Sequence, residues 1–208
     1  MKKLLFMLLC CTIFVIGCNN NQNDEFFEED VVEIEGDDDN YDADTMMNMD
    51  EILNESDKKA ENGDYAGAIA DLKKVVSQAE YKGFLYAKLA RLQFQDTSDS
   101  DNLKNALDSA NNAVKYGEIE KDESMDWIYS TRAQVERGLD MLNEAMKDSN
   151  KAVELSPEKS WVYADRANVY RSMGEKEKAL ADYNKAISLG DDSQWIKDSI
   201  AEMKKEGN

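Results

Sequence analysis

The stretch "GEKEKALADYNKAISLG", residues 174–190, lies between two glycines and carries a regular apolar pattern. Ala179, Tyr183, Ala186 and Leu189 follow one another at steps of four, three and three residues. Residues at this spacing lie on one stripe of an α-helix. Because alanine buries little apolar area, a stripe rich in alanine indicates a helix that another helix approaches closely.

The same pattern occurs earlier in the chain, at a constant interval of 34 residues. The earlier counterparts are Ala145, Ser149, Ala152 and Leu155. The segment before each stripe repeats at the same interval, because "YSTRA" at 129–133 becomes "YADRA" at 163–167 and Trp127 becomes Trp161. This self-similarity indicates stacked helical units rather than one closed core.

Two further copies precede these. One comprises Gly63, Asp64, Tyr65, Ala68, Leu72 and Val75, and the other comprises Leu103, Ala106, Ala110 and Ala113. The pattern resembles the tetratricopeptide repeat, a helix-turn-helix unit of 34 residues. The resemblance implies an all-α solenoid, in which the small residue that opens each second helix lies where two helices cross. The predicted units are 49–82, 83–120, 126–159 and 160–193, within a domain of 46–193.

Some positions fit this family and others depart from it. Pro157, the only proline in the chain, falls where the family ends its second helix. Arg132 and Arg166 occupy a position that the family usually fills with leucine, so their charged ends must reach solvent or pair with an acid. The second unit has extra residues in its "QDTSDSD" turn, and a further insertion near "KDESM" precedes the third unit.

The C-terminal residues 194–208 are predicted to form a capping helix, since a terminal repeat exposes an apolar face that needs a cover. The apolar stripe of this helix consists of Trp195, Ile196, Ile200 and Met203. Asp192 or Ser193 is expected to cap its N-terminus.

The beginning of the chain has the layout of a signal peptide, predicted at 1–17. Lys2 and Lys3 precede an apolar run that is too short to cross a bilayer as a helix. The run ends in "VIGC", which resembles the lipobox of bacterial lipoproteins and implies that Cys18 becomes the lipid-carrying first residue of the mature chain. The alternative is an ordinary signal peptide followed by a coincidental cysteine. The other two cysteines, Cys10 and Cys11, lie within the signal.

The net charge of −19 is concentrated in one segment. Residues 19–57 contain sixteen acids and no base, whereas residues 58–208 are nearly balanced. Residues 18–45 are therefore predicted to be a lipidated, disordered spacer, although Phe26, Phe27 and their apolar neighbours leave docking open as an alternative.

An acidic chain with a pI near 4.4 also argues against a nucleic-acid partner.

Catalytic chemistry has few candidate residues in this sequence. The chain contains no histidine, and no cysteine follows Cys18. No phosphate-binding glycine loop or recognisable serine or lysine catalytic motif occurs. The acidic run that contains Asp38, Asn40 and Asp42 lacks both the turn glycine and the bidentate Glu of a calcium loop, whose twelfth position is Met49. We therefore expect a protein that is not an enzyme and that has no cofactor and no metal.

The resemblance implies a binding groove instead. In tetratricopeptide arrays the second, ninth and twelfth positions of each first helix point into a concave groove. Carried over to this chain, these positions are Phe84, Trp127 and Trp161, then Arg91, Gln134 and Asn168, then Phe94, Arg137 and Arg171. Aromatic and arginine side chains are enriched at protein interfaces.

These features together predict a lipid-anchored adaptor that holds an extended or helical segment of another protein in the bacterial cell envelope. The membrane would be reached only through the lipid, with the outer membrane or cell surface favoured over the inner membrane. Two alternatives stay open. One is a structural subunit of an outer-membrane or pilus assembly, joined through its convex face, and the other is an accessory module of a cell-wall enzyme.

Overall fold

A computed structural model describes residues 43–98 and 101–205 of the chain. The signal peptide, Cys18 and the acidic segment up to residue 42 lie outside the described residues. Within the described ranges the regular structure consists of nine α-helices without a strand, which confirms the predicted all-α solenoid. The helices are α1 Ala43–Glu61, α2 Tyr65–Gln78, α3 Gly83–Gln95, α4 Asn102–Glu120, α5 Met125–Gly138, α6 Leu142–Leu155, α7 Ser160–Ser172, α8 Lys176–Ser188 and α9 Gln194–Lys205.

The helices pack in consecutive pairs. α1 contacts α2, α3 contacts α4, α5 contacts α6 and α7 contacts α8, and short turns make each pair antiparallel. The first helices of successive pairs also contact one another, since α3 packs on α5 and α5 on α7. This arrangement lines the first helices up along one side of the array. α1 begins at Ala43, ahead of the predicted start of the first unit at 49.

The alanine that opens each second helix lies at a helix crossing. Ala68, Ala106, Ala145 and Ala179 all have 0% of their surface exposed. The matching small residues of the first helices, Ser56, Ala90, Ala133 and Ala167, are equally buried. A larger side chain at either place would hold the two helices apart, and this explains the alanine-rich stripe.

The turn between the two helices of a unit needs a left-handed residue. Gly63 and Gly174 have φ angles of +81° and +73° at this place, and the third unit uses Asp140 with a φ of +62°. Glycine adopts this conformation without strain, whereas a residue with a Cβ does so at a cost. The third unit therefore carries local strain that the first and fourth units avoid.

The end of α4 binds the start of α3. α4 extends to Glu120, and Lys121 turns the chain with a φ of +56°. The Glu120 carboxylate then accepts hydrogen bonds from the backbone N–H groups of Lys82 and Gly83, at 2.8 and 2.9 Å. These N–H groups have no partner within the helix, and a carboxylate also suits the positive end of the helix dipole.

Arg132 and Arg166 pair with acids, which is one of the two outcomes that the sequence allowed. The Arg132 guanidinium binds both carboxylate oxygens of Asp148 on α6, with Nη2 at 3.0 Å from Oδ1. Arg166 binds Asp182 on α8 in the same way, at 2.7 and 3.0 Å. Each pair lies between the two helices of its unit, where a family member would have a leucine contact.

α9 covers the last unit with part of its predicted stripe. Ile196, Ile200 and Met203 are buried against α7 and α8. Trp195 remains 46% exposed, and its ring is nearly perpendicular to that of Tyr183, with ring centroids 6.0 Å apart. Of the two predicted caps of α9, Asp192 and Ser193, the Ser193 hydroxyl does not serve, because it is buried without a hydrogen-bond partner among the described residues.

Candidate functional site

Two adjoining clefts lie along the first helices, and both are lined by Arg91 and Trp127. We call them together the groove. The larger cleft, of about 520 Å³, is lined by Asp57, Ala60, Glu61, Tyr65, Phe84, Lys88, Arg91, Leu92, Gln95 and Trp127. The smaller cleft, of about 320 Å³, is lined by Arg91, Trp127, Gln134, Trp161 and Asp165. Five of the nine predicted groove residues thus come together: Phe84, Arg91, Trp127, Gln134 and Trp161.

The groove presents an aromatic surface. The Phe84 and Trp127 rings lie 4.9 Å apart at an interplanar angle of 35°, and Phe84 is 42% exposed. Trp161 lines the smaller cleft, and the ammonium of Lys159 lies 5.6 Å from its ring centroid. Large aromatic rings supply much contact area at a low entropic cost, so this surface suits the apolar side chains of a bound segment.

Polar side chains cross the groove floor from one unit to the next. Lys88 of α3 forms an ion pair with Asp57 of α1, at 2.6 Å. Gln134 of α5 donates a hydrogen bond to Asp165 of α7, at 3.1 Å. In both contacts the ninth residue of one first helix, Asp57 or Gln134, contacts the sixth residue of the next first helix, Lys88 or Asp165. These contacts hold the first helices in register while their upper surfaces stay open.

Asp165 lines the smaller cleft, although it is not among the nine predicted groove residues. Its carboxylate accepts hydrogen bonds from Ser130 and Gln134. Burial raises the pKa of Asp165, while these two donors and the nearby charges of Arg91 and Arg137 lower it. The repeat pattern could have indicated Asp165, because it lies three residues before Asn168, which occupies the ninth position of its first helix.

Arg91 and Arg137 approach this carboxylate without pairing with it. Both guanidinium charges lie close enough to influence the pKa of Asp165. Among the residues that the structure describes, neither arginine has a carboxylate within 4.0 Å. Arg91 lines both clefts, whereas Arg137 lines neither of them.

Comparison with known proteins identifies the architecture. A family model of the tetratricopeptide repeat matches residues 160–192. The solved structure of MamA is similar at 25% identity and a TM-score of 0.55, over 73% of this chain and 84% of that one. A thermophilic TPR protein from Thermus thermophilus is similar at 19% identity and a TM-score of 0.61, over 71% and 77%. The chain has the tetratricopeptide-repeat fold.

One further similar structure contains a ligand. The first TPR of Spaghetti (RPAP3), bound to the HSP90 peptide SRMEEVD, shares 17% identity and a TM-score of 0.51 over 60% of this chain and 94% of that one. No curated protein matches the chain in sequence.

Three of the four remaining predicted groove residues make contacts inside the TPR array. Phe94 packs against Gly138, where an added Cβ would lie 2.4 Å from the Phe94 ring. Asn168 accepts a hydrogen bond of 2.6 Å from the hydroxyl of Tyr183. Arg171 donates to Glu202 on α9, also at 2.6 Å. These contacts join neighbouring helices, and the fourth residue, Arg137, lines neither cleft.

The described part of the chain holds no group of three or more His, Cys, Asp or Glu side chains that could bind a metal ion. No helix within 43–98 or 101–205 has the length and apolar character needed to cross a membrane.

Proposed function

We propose that this protein is an adaptor that binds an extended or helical segment of another protein in the groove. The observation that carries the proposal is the open aromatic surface of Phe84, Trp127 and Trp161 beside Arg91, which lines both clefts. Interface hot spots are rich in tryptophan and arginine, and they lie in pockets from which the ligand excludes water. The TPR fold of a peptide-bound neighbour supports the same mode of binding.

The proposal includes a place in the cell. The chain is anchored to an envelope membrane through a lipid on Cys18, and the acidic segment spaces the TPR array from that membrane. The support is the sequence "VIGC" after a short apolar run. The outer membrane or the cell surface is the proposed location.

Site-specific photocrosslinking of the full chain in cells tests the binding mode. A photoreactive phenylalanine derivative replaces Phe84 in the groove in one variant, and it replaces Tyr81 in the matched control. Tyr81 is also aromatic and is 68% exposed, but it lines neither cleft. We expect a discrete crosslinked protein from position 84 that Trp127→Ala abolishes, and none from position 81.

The opposite pattern would contradict the adaptor. Crosslinks from position 81 that persist in Trp127→Ala, without any from position 84, would place the partner outside the groove. That result would favour a structural subunit of an envelope assembly.

A further inference from the structure

Five large apolar side chains are exposed among the residues that the structure describes, and all five lie at one edge of the TPR array. This edge contains the end of each second helix, the start of the next first helix and the turn between them. We call it the entry edge. Its turns are 79–82, 121–124, 156–159 and 189–193. The exposed side chains are Tyr81, Phe84, Ile119, Leu155 and Trp195.

The opposite edge, where the two helices of one unit are joined, has a different composition. Its turns include Gly63 and Asp64 in the first unit and Gly174 and Glu175 in the fourth. It carries none of the large exposed apolar side chains of the described ranges. Single apolar side chains are ordinary on a protein surface, but chance would scatter them over both edges. Their restriction to the entry edge indicates a contact surface.

Carboxylates of the entry edge join the turns of successive units. Asp122, in the turn before α5, accepts a hydrogen bond of 3.1 Å from the backbone N–H of Phe84. Asp126 accepts hydrogen bonds from the Ser156 hydroxyl, at 2.6 Å, and from the Lys159 ammonium. These acids are therefore satisfied within the array, and the turns that they join form a fixed framework for the exposed apolar side chains.

Both signs of charge occur along this edge. Each of the first three turns carries a glutamate and a lysine, namely Glu80 and Lys82, Lys121 and Glu123, and Glu158 and Lys159. The fourth turn carries Asp191 and Asp192 without a base, so the first three turns form the main part of the surface. A surface with both signs suits zwitterionic lipid headgroups better than anionic ones, because anionic membranes attract clusters of bases.

The chain also enters the array at this edge. α1 runs in the same direction as α3, because α2 lies between them in the chain and is antiparallel to both, and the Asp57–Lys88 ion pair joins α1 to α3. α1 begins at Ala43, so the residues that precede it, including the proposed lipid site Cys18, connect to the array at the entry edge. A tether at this place gives the edge a high effective concentration at the membrane.

We propose that the entry edge lies on the surface of the membrane that carries the lipid anchor, in contact with zwitterionic headgroups. This inference rests on the lipid anchor of the proposed function and adds a second contact, which orients the array. Aromatic side chains such as Tyr81 favour the headgroup level, and aliphatic ones such as Ile119 and Leu155 reach the boundary of the acyl chains. The first helices then rise from the membrane, and the groove along them opens to the side.

Fluorescence quenching by the membrane tests this orientation. The full lipidated chain is reconstituted in phosphatidylcholine vesicles that contain a lipid-linked quencher. No cysteine follows Cys18, so a single introduced cysteine takes the fluorophore. Ile119→Cys and Leu155→Cys label the entry edge. The matched controls, Lys104→Cys and Asn143→Cys, label exposed positions near the start of the same two helices.

We expect the fluorophores at positions 119 and 155 to lose about half or more of their fluorescence, because interfacial groups enter the headgroup boundary by about 5–10 Å. The fluorophore at position 104 should keep its fluorescence, since it lies about 22 Å from position 119 along α4. The quenching should persist at high salt, which screens charges and leaves apolar contacts in place.

Removal of apolar side chains then assigns the contact. Tyr81→Ser combined with Ile119→Ser should restore most of the fluorescence of the probe at Leu155→Cys. Tyr81 and Ile119 are 68% and 69% exposed, so thermal melting should stay unchanged. The matched control is Asn62→Ser combined with Lys104→Ser, two exposed positions at the opposite edge, and it should leave the quenching as it is.

The outcomes separate this inference from the proposed function. Equal quenching at both ends of α4 and α6, or quenching at neither end, would overturn the membrane contact and leave the lipid anchor intact. Quenching that needs anionic vesicles and disappears at high salt would also overturn it. A chain that does not associate with the vesicles at all would overturn the anchor and the contact together. The groove is tested independently by the crosslink from position 84.

Discussion

Glu136 is a buried acid with an incomplete set of partners. It lies on α5 with 5% of its surface exposed, and its Oε1 is 3.7 Å from the Nε of Arg132. Its Oε2 is buried and has no hydrogen-bond partner among the described residues. Arg132 is meanwhile committed to Asp148 through two hydrogen bonds. Replacing Glu136 with glutamine should therefore stabilise the protein at neutral and alkaline pH.

The residues at the position equivalent to Glu136 in the other three units each have a favourable partner. Lys59 pairs with Asp71, Gln93 accepts a hydrogen bond of 2.7 Å from Ser109, and the ring of Tyr170 lies 5.8 Å from the Arg166 guanidinium carbon. Each of these residues is neutral or faces an opposite charge. Glu136 instead lies near a second acid, Asp148. Glutamine is the residue that the second unit already uses.

The magnitude follows from the pKa of Glu136. Burial raises it from 4.5 to about 7, the negative charge of Asp148 raises it as well, and Arg132 lowers it. Between these two values the folded protein holds a proton that the unfolded chain has released, so stability falls as the pH rises from about 4.5 to about 7. At about 1.36 kcal/mol for each tenfold change in proton affinity, the loss is about 3 kcal/mol above neutral pH.

The Glu136→Gln variant keeps the shape of the side chain and removes its charge. We expect it to be more stable than the wild type by about 2–3 kcal/mol at pH 8 and nearly equal to it at pH 4.5. For an array of this length the gain at pH 8 corresponds to a melting temperature about 5–10 °C higher.

Thermal and urea unfolding of the full chain at pH 4.5, 6 and 8, followed by circular dichroism, measure the effect. The matched control is Glu158→Gln, which removes an exposed loop glutamate and should leave the pH profile unchanged. If Glu136→Gln melts with the wild-type pH profile, or is less stable than the wild type at pH 8, the assignment of an unpaired buried charge is wrong.

Three further predictions test the packing, the turns and the anchor. Ala179→Leu should lower the free energy of unfolding by about 1–3 kcal/mol because Ala179 is fully buried at a helix crossing, and an unchanged melting midpoint would contradict the repeat frame. Asp140→Gly should raise stability by about 0.5 kcal/mol and Gly174→Ala should lower it by about 1 kcal/mol, since both residues have positive φ; thermal melting with the opposite order would refute the turn assignment. Cys18→Ser should prevent incorporation of a labelled lipid precursor and move the protein to the soluble fraction, and a mutant that still fractionates with membranes would rule out this anchor.

The local pattern of the sequence was sufficient to predict the fold. The repeated pattern, with alanine at 68, 106, 145 and 179, determines how closely each pair of helices packs, and the predicted solenoid is confirmed. The prediction of the fold succeeds because a TPR unit contacts mainly its neighbours. The residues that form each part of the core therefore lie within one repeat or in two adjacent repeats. The same frame placed Phe84, Trp127 and Trp161 at the groove.

Charge pairing was decided by the tertiary structure. The sequence marked Arg91, Arg137 and Arg171 as equivalent candidates, yet Glu202 of α9 pairs with Arg171 and no acid among the described residues pairs with the other two. For the same reason the sequence did not predict that Asp165 lines the groove or that Glu136 is buried without a full set of partners. Whether a carboxyl group is paired, desolvated or free depends on which side chains the stacking of successive units brings within a few ångströms, and helical periodicity alone does not specify those neighbours.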